Sequence, residues 1–128
     1  MNLDHKHIIV RATVKKPPTE VDYSIDWMKR VVDAVGMKIV LGPFAHYCDA
    51  KDNEGITGMC CISTSHLSLQ VWSKIEPPVV HFDLYSCATF DVYTVLGMLC
   101  EFEPYSYDWV MIDRNETLKV YEHGQFQK

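Results

Sequence analysis

The sequence predicts a single α/β (α+β) domain, a two-layer sandwich in which a mostly antiparallel sheet carries two helices on one face. The predicted elements run strand, helix, three or more strands, helix and two strands, so only the first strand–helix–strand unit could be a parallel crossover. The chain has 128 residues, of which 48% are apolar and 23% charged. This size and composition are typical of one globular domain, here residues 1–128.

The first strand and helix are predicted from their periodicity. Residues 7–14 alternate and are rich in β-branched side chains, which favours a strand. Thr19 is suited to cap the following helix, with Asp22 in the place of a capping-box acid and Gly36 as its C-cap. The apolar stripe of this helix recurs at spacings of three and four residues and consists of Val21, Ile25, Met28, Val32 and Val35.

The later elements follow from short apolar runs between turn residues. The predicted strands cover residues 38–41, 57–63, 66–72 and 79–85, and a last hairpin pairs residues 107–113 with 118–121. We expect Gly42-Pro43 to end the first of these strands, and the polar residues 48–55 to form a loop. A second helix is predicted over residues 89–102, with an apolar stripe of Val92, Val95, Leu96 and Leu99.

The strand over residues 66–72 has two different faces. Its apolar side chains, which suit packing against the helices, are Leu67, Leu69 and Val71. The other face carries His66, Ser68, Gln70 and Trp72. Because this second face is polar yet holds a tryptophan, we expect it to meet a partner or a ligand rather than bulk water.

Charge and cysteine content exclude several classes of protein. Twelve Lys and Arg against seventeen Asp and Glu give a net charge of −5, so no basic excess supports nucleic-acid binding. No apolar run approaches the roughly 20 residues of a membrane span, and the first residues have no secretory signal. Five cysteines, an odd number without CxxC spacing, predict reduced thiols in a cytoplasmic protein.

Two motifs carry the strongest functional signal. The first is Ile-Ser-Thr-Ser-His-Leu-Ser-Leu-Gln-Val-Trp over residues 62–72, and the second is Val-Val-His-Phe-Asp-Leu-Tyr-Ser-Cys over residues 79–87. Together they resemble the bacterial S-adenosylmethionine decarboxylase proenzyme family, which has Glu-Ser-His-Leu-(Ser/Thr)-Ile-His-Thr-Trp-Pro-Glu followed by Asp-(Leu/Val)-(Phe/Tyr)-(Thr/Ser)-Cys-Gly. The resemblance extends from about His5 to Asp113.

This resemblance implies a self-made prosthetic group. In the family, a serine hydroxyl attacks the preceding carbonyl, and elimination of the resulting ester breaks the chain and leaves a pyruvoyl group. The bond here would be Thr64–Ser65. The pyruvoyl ketone forms a Schiff base with the amine of S-adenosylmethionine and accepts the electrons released with CO2, in service of spermidine synthesis. The cysteine at the position of Cys87 reprotonates the product.

Other positions are matched through the same resemblance. His66 follows the cleavage serine, and Thr57 takes the place of a serine that assists processing. Tyr47 falls near an aromatic residue that stacks on adenine. The carboxylate that holds the ribose is Glu76 if two residues are inserted after the motif, whereas an ungapped alignment places Lys74 there. We also assign Trp72 to substrate binding.

Three residues depart from the family pattern. Thr64 replaces the glutamate before the cleavage serine, and Ala88 replaces the glycine after the cysteine. Gln70 replaces the histidine that transfers the proton during ester elimination, and glutamine is neither an acid nor a base near neutral pH. Gln70 therefore leaves one alternative open, an uncleaved homologue that binds S-adenosylmethionine or a related nucleoside. The acidic charge balance allows another, a pyruvoyl-dependent decarboxylase of ornithine or arginine.

The resemblance also bears on assembly. The family places its sites between two protomers, which would cover the polar face of the sheet, so we expect a homodimer.

His5 and His7 have the HxH spacing that places two imidazoles on one face of a strand. Without further ligands beside them in the sequence, we predict no metal site.

Overall fold

The computed structural model describes residues 4–63 and 65–128. Its strands are β1 (Lys6–Val14), β2 (Ile39–Cys48), β3 (Gly55–Ile62), β4 (Ser65–Trp72), β5 (Val79–Ser86), β6 (Pro104–Asp113) and β7 (Lys119–Gln127). The helices are α1 (Val21–Ala34) and α2 (Val92–Leu99), and a short 3₁₀ helix (Cys100–Phe102) follows α2.

The described strands form one sheet in the order β2-β3-β4-β5-β1-β6-β7, and every neighbouring pair is antiparallel. The predicted antiparallel sheet is therefore confirmed. Strands β1 and β2 point the same way but are separated by three others, so α1 crosses from the middle of the sheet to its edge. Strand β1 lies between β5 and β6, which are distant from it in the sequence.

Both helices pack on one face of the sheet and enclose the hydrophobic core. Trp27 of α1 is fully buried, with its ring 5.3 Å from that of Phe82 and 4.8 Å from that of Phe102. Its indole N–H donates to the carbonyl of Met98 at 3.1 Å, which ties α1 to α2. The predicted core residues of β4 and α2 are all buried: Leu67, Leu69, Val71, Val92, Val95, Leu96 and Leu99.

The ends of α1 agree only in part with the prediction. The N-cap is Glu20 rather than Thr19, and no side chain caps this end. In the first turn, the Ser24 hydroxyl donates to the Glu20 carbonyl at 2.8 Å. The C-cap is Val35 rather than Gly36. Gly36 follows it with a φ of +74°, which suits glycine, and its N–H donates to the carbonyl of Asp33.

Strand β2 is longer than the sequence indicated. The prediction that Gly42-Pro43 would end it was wrong, because the strand continues to Cys48 after a register shift between Leu41 and Phe44. A proline lacks the N–H that a central strand needs, but β2 is an edge strand and tolerates it.

The boundaries of α2 and β7 also differ from those predicted. Helix α2 begins at Val92, three residues after the predicted start, because Asp91 caps it by accepting a hydrogen bond from the Tyr93 N–H. Strand β7 extends to Gln127, beyond the short strand predicted there.

Within the described residues, no helix combines the length and apolar character needed to span a bilayer.

The opposite side of the sheet, which we call the helix-free face, carries the polar residues. It holds His7 and Arg11 of β1, Thr57 of β3, His66, Ser68, Gln70 and Trp72 of β4, and His81, Asp83 and Tyr85 of β5. These side chains are half-buried or exposed. The alternation of β4 thus separates the core from a surface on which polar groups of several strands meet.

A matched pair of leucine substitutions tests the layer assignment. Leu67→Ala, at a fully buried position, should lower the free energy of unfolding by about 2–5 kcal/mol, because it removes packed methyl groups and leaves a cavity. Leu118→Ala, at a residue that is 79% exposed, should change it little. Urea denaturation of both variants measures the difference, and equal losses would contradict the assignment.

Candidate active site

The two residues with the strongest sequence signal lie side by side. Ser65 begins β4, and Cys87 directly follows β5. The Cys87 backbone N–H donates to Ser65 Oγ at 3.1 Å, and Cys87 Sγ lies 4.0 Å from the same oxygen. Ser65 Oγ also donates to the Ser63 carbonyl at 3.2 Å. The hydroxyl and the thiol are therefore close enough to act on one group.

The pairing of β4 with β5 produces this approach. His66 pairs with Tyr85 in the antiparallel register, so the start of β4 meets the end of β5. Just beyond, the buried Ser86 hydroxyl contacts both backbone groups of Ala88 at 2.9 Å. These two hydrogen bonds fix the backbone on either side of Cys87.

A second group of side chains lies next to this pair on the helix-free face. We call it the His–Asp cluster, and it consists of His7, His66 and Asp83. His7 Nε2 lies 2.7 Å from Asp83 Oδ2, and His66 Nε2 lies 4.0 Å from the same oxygen. The Ser68 hydroxyl donates to the other carboxylate oxygen of Asp83. Both carboxylate oxygens therefore have polar neighbours.

The electrostatics of the cluster favour an ionised Asp83. Burial alone would raise the pKa of this carboxyl group, but hydrogen bonds from His7 and Ser68, with the charges of His7 and His66, outweigh it and lower the pKa below the ordinary value of 3.8. The Asp83 carboxylate is therefore ionised at neutral pH.

Tyr85 and Arg114 complete the surroundings of the cluster. Tyr85 lies between His66 and His7 in the sheet, and its hydroxyl lies 2.7 Å from His5 Nδ1. The Arg114 guanidinium carbon lies 4.0 Å from the centre of the Tyr85 ring. Arg114 Nη1 also lies 3.3 Å from His7 Nδ1. Because arginine can only donate, a hydrogen bond here needs the neutral His7 tautomer whose ring proton is on Nε2 and points to Asp83.

Thr57 and Gln70 form a pair of their own. The Thr57 hydroxyl donates to Gln70 Oε1 at 3.1 Å across the β3–β4 ladder. Gln70 is five residues from Ser65 along β4, which corresponds to roughly 17 Å. Within one chain, neither member of this pair reaches the Ser65 hydroxyl.

The proposed substrate-binding residues also lie away from Ser65. Trp72 ends β4 roughly 23 Å along the strand, where its indole N–H donates to Asn53 Oδ1 at 2.9 Å. Glu76 is exposed in the following connection. Tyr47 packs partly against the hydrophobic core, beside the start of α1. The structure therefore does not bring these three residues to Ser65 and Cys87, and Thr64 lies outside the described residues.

Comparison with known proteins agrees with the motifs. A sequence profile described as S-adenosylmethionine decarboxylase matches residues 8–115. The chain belongs to the S-adenosylmethionine decarboxylase family. Its structure is similar to the crystal structure of the adenosylmethionine decarboxylase from Aquifex aeolicus VF5, with a TM-score of 0.66 at 18% identity over 89% of this chain and 92% of that one. At this identity the likeness shows a shared fold. A search of curated protein sequences found no match.

Sequence reasoning did not assign roles to several residues around this decarboxylase-like site. Asp83 and Tyr85 are two residues apart on the helix-free face of β5, so the period of two could have identified both. Arg114 had no such signal, because its place depends on the position of the β6–β7 turn. The HxH spacing singled out His7 but not its contact with Asp83, which depends on the pairing of β1 with β5.

Asp83→Asn should make the protein less stable at pH 7 by about 1–3 kcal/mol, since it removes a charged hydrogen-bond acceptor. Because the folded-state pKa of Asp83 is lowered, its contribution is complete above about pH 5 and is lost as the pH falls below 3.8. The difference between native and variant unfolding free energies should therefore shrink between pH 7 and pH 3, as measured by urea denaturation.

The control for this variant is Asp49→Asn, at an exposed loop position. It should leave the pH dependence of stability as it is in the native protein. If Asp83→Asn behaves in the same way as this control, the carboxylate is not held in its ionised form by the cluster.

Proposed function

We propose that this chain is a pyruvoyl-dependent decarboxylase of S-adenosylmethionine that cleaves itself between Thr64 and Ser65. The observation that carries the proposal is the contact between the Ser65 hydroxyl and both the N–H and the thiol of Cys87. Family membership supports the substrate, and the product would serve spermidine synthesis.

Cleavage can be written with every atom balanced. Ser65 Oγ attacks the Thr64 carbonyl and displaces the Ser65 nitrogen, which gives an ester and a free amine. A base removes the Ser65 α-proton, and the Thr64 carboxylate leaves, so the chain breaks. The dehydroalanine that remains becomes an imine, which water hydrolyses to a ketone and ammonia. The Cys87 N–H, 3.1 Å from Ser65 Oγ, orients the attacking oxygen.

The residues at the start of β4 fit a pyruvoyl group. Such a group supplies a ketone that binds the substrate amine and takes up the electron pair released with CO2. Because Cys87 Sγ lies 4.0 Å from Ser65 Oγ, its thiol can deliver a proton to a carbon bound at this place. The helix-free face has a shallow depression of about 460 Å³, lined in part by Ser68, Gln70 and His81, and this is where we place the rest of the substrate.

We infer that two chains complete each site in a homodimer. The Thr57–Gln70 pair is roughly 17 Å along the sheet from the Ser65 of its own chain, and Trp72 lies farther still. A second copy with its helix-free face against the first can bring these residues to Ser65. This face is polar yet holds the half-buried Trp72, and a surface of this kind supports such a partner.

The proposed self-cleavage predicts the covalent state of the purified chain. Intact-mass measurement of the purified native protein should show two fragments, residues 1–64 and 65–128, with the second lighter by one ammonia than its sequence. Ser65→Ala should remain one chain, because no hydroxyl is present to attack, whereas Ser63→Ala should still cleave. A native chain that stays whole after long incubation would overturn the proposal.

The next prediction concerns Gln70. Gln70→His should speed cleavage about a hundredfold, because an imidazole supplies the acid–base group that an amide lacks. The same substitution at an exposed residue of β7, Gln125→His, should have no effect. Time courses on denaturing gels measure both rates, and equal rates would mean that position 70 does not limit processing.

Mixing two variants tests whether Gln70 acts across the dimer. A chain with both Ser65→Ala and Gln70→His cannot cleave itself, but it should speed the cleavage of native chains refolded together with it. If the native chains cleave at their usual rate in the mixture, residue 70 does not act from a second copy.

One observation favours a second candidate function, an uncleaved protein that binds S-adenosylmethionine. The Gln70 amide is hydrogen-bonded to Thr57, so this pair holds no acid or base for ester elimination. Under this alternative, calorimetry on the native chain should show S-adenosylmethionine binding while the chain stays whole. Release of labelled CO2 from S-adenosylmethionine, and not from ornithine or arginine, would instead support the decarboxylase and its substrate.

A further inference from the structure

Three potential metal ligands converge on the helix-free face. His7, His66 and Asp83 each offer one ligand atom, and these atoms all lie within 4.8 Å of one another. They belong to β1, β4 and β5, which are neighbours in the order β4-β5-β1. The paired backbones of three strands therefore fix the spacing of the three side chains.

We propose that the His–Asp cluster binds a divalent transition-metal ion, with zinc as the best match. Two imidazole nitrogens and one carboxylate oxygen are a common ligand set for this ion, and a water molecule completes four-coordination. His7 and Asp83 lie closest, at 2.7 Å, while His66 is 4.0 Å away and its side chain is 44% exposed. A rotation of the exposed His66 ring lets all three atoms surround one ion.

The neighbours of Asp83 suit this role. Ser68 donates to Asp83 Oδ1, whereas both histidines face Oδ2. The hydroxyl therefore orients the carboxylate and leaves Oδ2 for the ion, as outer partners do in many metal sites. The ionised state of the carboxylate supplies one negative charge to the cation.

Arg114 opposes the ion. It donates to His7 Nδ1, which keeps the ring proton on Nε2, the atom that the ion needs. On binding, the ion takes Nε2, the proton moves through solvent to Nδ1, and Arg114 withdraws because that nitrogen no longer accepts. Arg114 is exposed, so it can move without disturbing the core. Its removal should therefore strengthen metal binding.

The experiment uses metal-free native protein, titrated with ZnCl2 in a calorimeter and with CoCl2 in a visible spectrophotometer. We expect one ion per chain and the intense visible bands of four-coordinate cobalt. The near-ultraviolet thiolate band should be absent, because the three proposed ligands include no cysteine. The same titrations on Ser65→Ala should give the same result, so the outcome does not depend on self-cleavage.

Variants identify the ligands. His66→Ala and Asp83→Asn should each weaken zinc binding by more than about a hundredfold, since even outer partners contribute about 10- to 100-fold. Arg114→Gln should tighten it, because the guanidinium no longer competes for His7. His5→Ala is the matched control and should bind as the native protein does. Circular dichroism verifies that each variant is folded.

Three results would overturn the proposal. The first is the absence of stoichiometric binding of either ion to folded native protein. The second is loss of binding in His5→Ala with full binding in His66→Ala, which would assign the ion to the His5–His7 pair instead. Retention of cobalt binding with a thiolate band would likewise place the ion on a cysteine and contradict the proposed ligands.

Discussion

The antiparallel pairing of β5 with β4 on one side and β1 on the other is the constraint on which the rest of the structure depends. Tyr85 faces His66 across one ladder and His7 across the other. This register places the end of β5 at the start of β4, where Cys87 meets Ser65, and it places Asp83 beside both histidines. A slip of one residue would send Asp83 into the core and lose all of these contacts at once.

The same alternation that builds the core holds this register. Leu69, Phe82 and Val10 are opposite one another in β4, β5 and β1, and each is buried. Since successive side chains of a strand point to opposite faces, burial of these three residues requires the intervening polar residues to share the other face. The catalytic proposal and the metal proposal thus both rest on a sheet that hydrophobic packing fixes.

The sequence was sufficient for the elements that have a clear period. The alternation from His66 to Trp72 predicted both faces of β4, and the two motifs predicted a shared place for Ser65 and Cys87. It was insufficient where distant segments pair: nothing in the pattern of β1 indicates that it lies between β5 and β6. The contact of His7 with Asp83 could therefore not be predicted from the sequence.

The proposed activity depends on the conversion of Ser65 into a group that carries a ketone. This ketone can be detected directly. Peptide mass spectrometry after borodeuteride reduction of the native protein reports whether residue 65 carries a ketone. We predict a fragment that begins with a reduced, deuterated three-carbon group in place of Ser65. If the main species after long incubation is still an intact peptide that joins Thr64 to an unmodified Ser65, the proposed activity is contradicted.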